Sequence, residues 1–481
     1  MQGPTHTVSA KEGFVKGIVL IFIISSLLFP GCSTVSSLVK PALEEEGEVY
    51  VYIEPFPQDA ERLRFQLEEL SVVRGDGTSV PLSLSLREFK RSDMLRQRLV
   101  ASGRLAPGRY TGLSFKTKDA SLRTEEGASA LLVPAEPFRI NFIFDIVRKK
   151  AVVLDLSLQY GESVKDRSGF MPSFSILIPS RPLATLTGYV TNRDSHAITV
   201  FDKRSGRVAG VIPTGNGPLG AALDQKLAKA YVALADIDAV DQMDVTDGNM
   251  IKRLNLTTGD RPRELALTPD GRFLLTVNAG SSSVSVVDTV SLIEVKRIAV
   301  GNDPRSVLVD PVGRRAYVFN ALSNTITVID IANKATAAVL STEPGPVRGQ
   351  FNRKGDKLYV IYEGSPYLIV IDPFSLSVIK RMFIGPGVTS IKVNTTTDMI
   401  YLGRKHDSTV EVYDPFSLMP GDFIVVNSGV GYLTIDGEAN NLFAVLPDKR
   451  TVTAVNLISK KIVFEMDVGD NASWVTMMGE R

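Results

Sequence analysis

The chain has few of the side chains on which redox and cofactor chemistry is usually built. Its 481 residues contain one Cys, three His and one Trp. A single Cys excludes an internal disulfide framework, a zinc site made from cysteines and an iron–sulfur cluster, and no Cys-x-x-Cys-His run is present to attach haem covalently. An excess of charge of one sign is missing too: 54 Lys and Arg stand against 53 Asp and Glu, a formal net charge of +1. That balance supplies neither a basic stripe for nucleic acid nor a pull toward acidic substrates. No Gly-x-Ser-x-Gly elbow or phosphate-cradling loop occurs. The apolar run from Gly17 to Phe29 is thirteen residues long, short of the roughly 20 that a membrane-crossing helix needs. What is present is ordinary globular composition, 44% hydrophobic and 22% charged, with length enough for two or three domains.

Lys11 and Lys16 precede the apolar run, which has the length of a signal-peptide core. Leu28-Phe29-Pro30-Gly31-Cys32 follows, so the only Cys falls one residue after a small residue at the end of that run. This resembles the lipobox of bacterial lipoproteins. The resemblance implies that residues 1–31 are a lipoprotein signal peptide and that Cys32 becomes a lipid-bearing N-terminus, its several acyl chains giving stable anchoring. Ser33 after the Cys resembles lipoproteins sorted to an outer membrane, which implies a periplasmic or surface-facing position in the cell envelope. Residues 32–47 are mostly polar and end in Glu44-Glu45-Glu46-Gly47. They read as a tether spanning on the order of 20 Å as a flexible coil.

From Glu48 the pattern is short alternating runs: 49–53, 62–67, 82–86, 108–115, 138–144, 151–158 and 174–178. Alternation at period two predicts half-buried strands, and seven to nine of them in residues 48–180 predict an antiparallel β-sandwich. Leu105-Ala106-Pro107-Gly108-Arg109-Tyr110 resembles the corner of transthyretin-like and immunoglobulin-like sandwiches. The segment has no His or Cys, and its carboxylates (Asp59, Glu61, Glu68, Glu69, Asp119, Asp155) read mostly as a solvated face.

The remainder is repetitive. Tyr189-Val190-Thr191-Asn192 recurs with starts at Tyr231, Leu275, Tyr317, Tyr359, Tyr401 and Phe443, spaced 42, 44, 42, 42, 42 and 42 residues apart. Each copy is followed by a second strand ending at Asp202, Asp244, Asp288, Asp330, Asp372, Asp414 or Asn456. These acids read as turn residues that accept backbone N–H bonds. A third run leads to a Gly in several copies, and a fourth follows a Pro and ends in a turn. Four strands per unit at this period are the signature of β-propeller blades. The tetrads resemble the YVTN repeat family of bacterial and archaeal surface and periplasmic proteins, which implies that residues 184–481 form a seven-bladed propeller. Counting from Tyr189 leaves the innermost strand of the first copy missing and one such strand, residues 472–478, left over at the C-terminus. The whole chain is therefore expected to be all-β, a sandwich followed by a propeller closed by the C-terminal strand.

Propeller ligands meet the mouth of the central channel. At one repeat position there the residues are Gly220, Glu264, Ser306, Arg348, Ser390, Tyr432 and Trp474, and just before it Leu219, Arg263, Arg305, Val347, Thr389, Gly431 and Ser473. Arg263, Glu264, Arg305, Arg348, Tyr432 and Trp474 form the candidate binding rim, because guanidinium groups grip carboxylate or phosphate and the aromatics stack on a ring, sugar or peptide. A structural alternative pairs Glu264 with the arginines and uses the aromatics as a plug. No catalytic residue, metal site or cofactor is assigned. A calcium-dependent propeller hydrolase of the lactonase kind, the alternative function, needs more oxygen ligands than the one carboxylate of this row. His196 and His406 lie on loops of the first and sixth repeats, too far apart to share a metal. The reading is a non-catalytic envelope protein, held to the membrane through Cys32, that binds a protein, peptide or glycan and no nucleic acid.

Overall fold

The computed structural model describes Met1, Gly3 and residues 43–480 apart from Ser92, Asp93, Glu126 and Arg167. The signal peptide, Cys32 and most of the tether lie outside the described residues. No helix among the described residues is long and apolar enough to cross a membrane.

Two sheets form the N-terminal part. One is five-stranded, in the order Phe174–Leu177, Ala151–Leu158, Gly47–Ile53, Arg98–Leu105 and Ser83–Leu84; the other is six-stranded and built on the long pair Leu63–Arg74 and Gly108–Thr124. Val49, Val51, Leu154 and Leu156 from the first sheet and Phe65, Leu70, Leu113 and Phe115 from the second share one apolar core. Alternation places every second residue of each strand in it. Tyr110 Oη donates to the Ala106 carbonyl at 2.9 Å, so the Leu105–Tyr110 segment is held by its own tyrosine.

Two expectations need correction here. The pairing is not wholly antiparallel, because Gly47–Ile53 runs parallel to Ala151–Leu158. Asp155, read with the solvated carboxylates, is buried. Its strand faces the rest of the protein instead of water, and Gln97 Nε2 donates to Asp155 Oδ1 at 2.6 Å.

The repeats form seven four-stranded sheets, each antiparallel and six of them built from four consecutive strands. The exception is the first sheet, where the C-terminal strand Ala472–Met477 pairs with Thr187–Asn192, from Gly188 opposite Met477 to Asn192 opposite Ala472. The sequence count left over just this strand for just this place. Each innermost strand neighbours its counterpart in the next sheet, and the circuit returns from Ala472–Met477 to Pro218–Asp224.

The recurring tetrad residues hold this array together. Tyr189 Oη donates to the Val245 carbonyl of the second sheet at 2.6 Å, and Tyr317 Oη to the Pro373 carbonyl of the fifth at 3.0 Å. The tetrad Asn is buried and ties the following turn: Asn192 Nδ2 donates to Thr199 Oγ1 and Asn320 Nδ2 to Thr327 Oγ1, both at 2.9 Å. The N-terminal sheets pack on the edge of the first repeat sheet, with Tyr50, Tyr52 and Val153 against Ala197, Val208 and Val211.

Candidate functional site

The innermost strands of six of the seven sheets open with a β-bulge. In Pro262–Leu267, Pro262 pairs with Asn278 and Glu264 with Val277, which leaves Arg263 as the extra residue; the same shift falls between Pro304 and Ser306, Pro346 and Arg348, and Val388 and Ser390. A regular strand would send neighbouring side chains to opposite faces. The bulge re-aims one of them, and so adjacent residues such as Arg263 and Glu264 both line one cavity of about 490 Å³ at the channel mouth. All six residues of the predicted rim line it.

Within it, four of the six satisfy one another. Arg348 grips Glu264 through both nitrogens, Nη2 to Oε2 at 2.7 Å and Nη1 to Oε1 at 3.5 Å. Tyr432 and Trp474 stack with centroids 3.9 Å apart, and the Arg348 Cζ lies 5.1 and 5.0 Å from the two rings. Burial pushes the Glu264 carboxyl up from its ordinary value, and Arg348 then Arg263 draw it back. Burial likewise raises the Tyr432 phenol well above its ordinary value. Arg305 is engaged at the rim, its Nε 2.6 Å from Asp303 Oδ2 and its Nη2 3.4 Å from Glu363 Oε2.

Arg263 is different. It lines the cavity, and among the described residues no hydrogen bond or ion pair engages its guanidinium. Burial, and after it repulsion from Arg305, holds that group below its ordinary pKa, with Asp303 and Glu264 opposing. A partly desolvated guanidinium with free donors is the strongest anion-recognising element available in such a site. Of the expected grip by three arginines, two are already occupied by acids of the protein, and the two aromatics face each other.

With the innermost strand of each sheet counted as its first, further lining residues come from the turns between the second and third strands. Arg193, Glu363, Lys405 and Asp448 border the cavity, and the first three directly follow a tetrad. The signal was the variable residue after each tetrad, which a reading confined to the innermost strands does not reach. Arg193 is paired to Asp236 at 3.2 Å. His196 is buried and accepts the Gly217 N–H at 3.0 Å through Nδ1, which makes it a turn residue of the first sheet, while His406 is exposed. No group of three or more His, Cys, Asp or Glu able to hold a metal occurs among the described residues.

No protein-family model matches the chain, and no curated protein is similar to it in sequence. Solved structures are similar to it. Hydrazine synthase of Kuenenia stuttgartiensis is 20% identical with a TM-score of 0.48, over 53% of this chain and 87% of that one. A functionally unknown protein from Desulfotomaculum acetoxidans is 14% identical with a TM-score of 0.52, over 60% of this chain and 98% of that one. The dihydro-haem d1 dehydrogenase NirN, solved in complex with DHE, is 15% identical with a TM-score of 0.49, over 63% and 78%. At these identities the likeness concerns the fold alone. The chain's own topology is that of an all-β, propeller-type array of four-stranded antiparallel sheets.

Proposed function

We propose that the protein is a non-catalytic, lipid-anchored component of the cell envelope whose propeller mouth binds a protein, peptide or glycan through an anionic group seated on Arg263. The observation that carries this reading is the partner-free Arg263 guanidinium in a cavity of about 490 Å³ whose other charged rim groups are largely paired. An incoming carboxylate would restore to Arg263 the hydrogen bonds that burial takes from it. In this reading residues 1–31 are a lipoprotein signal peptide, 32–47 the tether, 48–180 a β-sandwich and 184–481 a seven-bladed propeller of the YVTN type. The tetrads and the seven four-stranded sheets support the last assignment. The Gly31-Cys32-Ser33 sequence supports lipid on Cys32 and an outer-membrane position.

Two measurements test it. Solubilised envelope is passed over the protein and over its Arg263→Ala variant, and a partner retained by the first and lost by the second is expected; equal retention removes Arg263 from the site. Radiolabelled fatty acid is expected on the protein and absent from Cys32→Ser. An unlabelled parent protein overturns the anchor.

A further inference from the structure

From the second sheet on, each repeat sheet has two kinds of turn at the end opposite the cavity: first-to-second strand and third-to-fourth strand. That they share one end is fixed by their bonds, as where Thr289 N donates to the Arg272 carbonyl and Ile331 N to the Arg314 carbonyl, 3.1 and 3.0 Å. Neighbouring sheets continue the surface: Arg353 N donates to Asp398 Oδ1 at 2.6 Å. On six successive sheets one apolar side chain stands out from these turns: Leu227, Val290, Val312, Phe374, Phe416 and Ile458, between 59% and 88% exposed. Among the described turn residues at the cavity end, Leu322 is the one large apolar side chain so exposed. Six such tips on one end against one on the other are not the scatter of a soluble surface.

Charges of both signs share that end, and several of its acids are tied to the chain around them. Asp372 Oδ1 accepts from Phe374 N at 2.8 Å, Asp414 Oδ1 from Phe416 N at 3.0 Å, and Asp288 Oδ1 from Ser291 N at 2.9 Å. Lys226, Arg314 and Lys354 on neighbouring turns are exposed. The outermost groups are thus apolar tips set among charges of both signs, since Asp247, Asp270, Asp356 and Glu438 are exposed there as well; apolar side chains flanked by cations are what a bilayer interface accepts.

The position where the described chain begins sets how far Cys32 can reach. Leu43 lines a cavity that runs from Thr214, Gly215 and Asn216 at one end of the first two sheets to Asp247, Gly248 and Asn249 at the other, and Lys150, whose carbonyl accepts the Glu48 N–H at 3.0 Å, reaches Asn249 Oδ1 at 3.4 Å. The described chain therefore comes in along the outer edges of the first and second sheets, between their two ends. From Cys32 to Leu43 is eleven residues, on the order of 40 Å at full extension.

We propose that this end of the propeller seats on a lipid bilayer, the six tips dipping among the headgroups, so that the cavity of Arg263 faces away from the membrane. The proposal uses the lipid anchor on Cys32 to bring the surface within reach, and otherwise stands on the tips. An interface insertion of a few ångströms suffices for side chains on turns, and a tethered protein needs only weak added affinity because the anchor makes contact intramolecular.

The test uses the full chain purified from membranes and returned to vesicles of phosphatidylethanolamine and phosphatidylglycerol. Nitroxides are placed one at a time through Phe374→Cys, Phe416→Cys, Ile458→Cys and, as the control on the other end, Leu322→Cys. Collision with oxygen and with a water-soluble nickel chelate is read for each. The expected result is nickel accessibility several-fold lower at the three tips than at the control, with oxygen accessibility higher. Tips as open to nickel as the control overturn the proposal. Tips shielded from both reagents also overturn it, because a protein surface then covers that end. Intact mass reports the acyl chains separately: tips at depth with no added mass on Cys32 leave this proposal standing and remove the anchor.

Discussion

Glu264 shows how much of the rim is architecture. Its carboxylate is enclosed and its charge is tolerated because Arg348 meets both oxygens. Glu264→Gln is expected to lower unfolding stability by about 3 kcal/mol, since removing one partner of a buried pair strands the other. Arg348→Met should cost a similar amount, while the double variant recovers most of the loss; urea unfolding of the three variants checks this as a double-mutant cycle. Arg263→Ala removes no internal bond and should stay within about 0.5 kcal/mol of the parent. The identities of the six rim residues were legible in the sequence, because they vary on a repeating frame. Who pairs with whom was not. Glu264 and Arg348 lie 84 residues apart, and a repeat count places them two sheets apart without telling how far side chains reach across a channel.

Among the elements, the repeat strands were predictable from alternation and the bulge was not, since one extra residue in a strand leaves no mark on composition. Yet the bulge is what aims both Arg263 and Glu264 inward. The tetrad Asn has an equally local task. Asn192→Ala removes its bonds to Thr199 Oγ1 and to the Gly469 N–H, 2.9 and 3.0 Å, at a buried site. A loss of about 1–3 kcal/mol is expected by thermal or chemical unfolding. The strand Ala151–Leu158 sets a pH dependence. Burial first, then the neighbouring Glu54 carboxylate, pushes Asp155 up to about 7, against its bond from Gln97 and the charge of Arg207. A carboxyl raised in the folded state contributes stability that is present in full below its ordinary pKa near 4 and is lost as pH rises through about 7. The melting temperature should therefore fall between about pH 4 and pH 7, and Asp155→Asn should flatten that slope. An unchanged slope would take Asp155 out of the account. The burial of Asp155 was invisible in the alternating pattern, because its strand's outer face meets Val208 and Gln97 rather than water.

At the scale of the whole molecule, the first repeat sheet is where the C-terminal strand meets the first strand of the repeats, and it is locked differently from the rest. The residue after each strand-ending acid is Val245, Thr289, Ile331, Pro373, Pro415 and Leu457 in six copies, but Lys203 in the first. Lys203 is buried and its Nζ bonds to Asp436 Oδ1, Glu438 Oε2 and the Met478 carbonyl at 3.1, 2.8 and 2.7 Å. It thereby fastens the C-terminal strand to the seventh sheet. Lys203→Ala should destabilise the protein by about 3–5 kcal/mol, measured by urea unfolding, because Asp436 is left buried without its cation. Removing residues 472–481 exposes the edge of Thr187–Asn192 and should yield aggregated or protease-sensitive protein, read by size-exclusion chromatography and limited proteolysis. By itself the sequence determined the strands, their number per repeat and the strand owed by the C-terminus to the first sheet, because periodicity and count are properties of a line. Only the tertiary structure decided that Asp155 is buried, that Arg263 alone of the rim arginines is left unpaired and that the apolar tips share one end. Those depend on which surfaces and which distant residues meet, and a single strand's pattern carries no record of its neighbours.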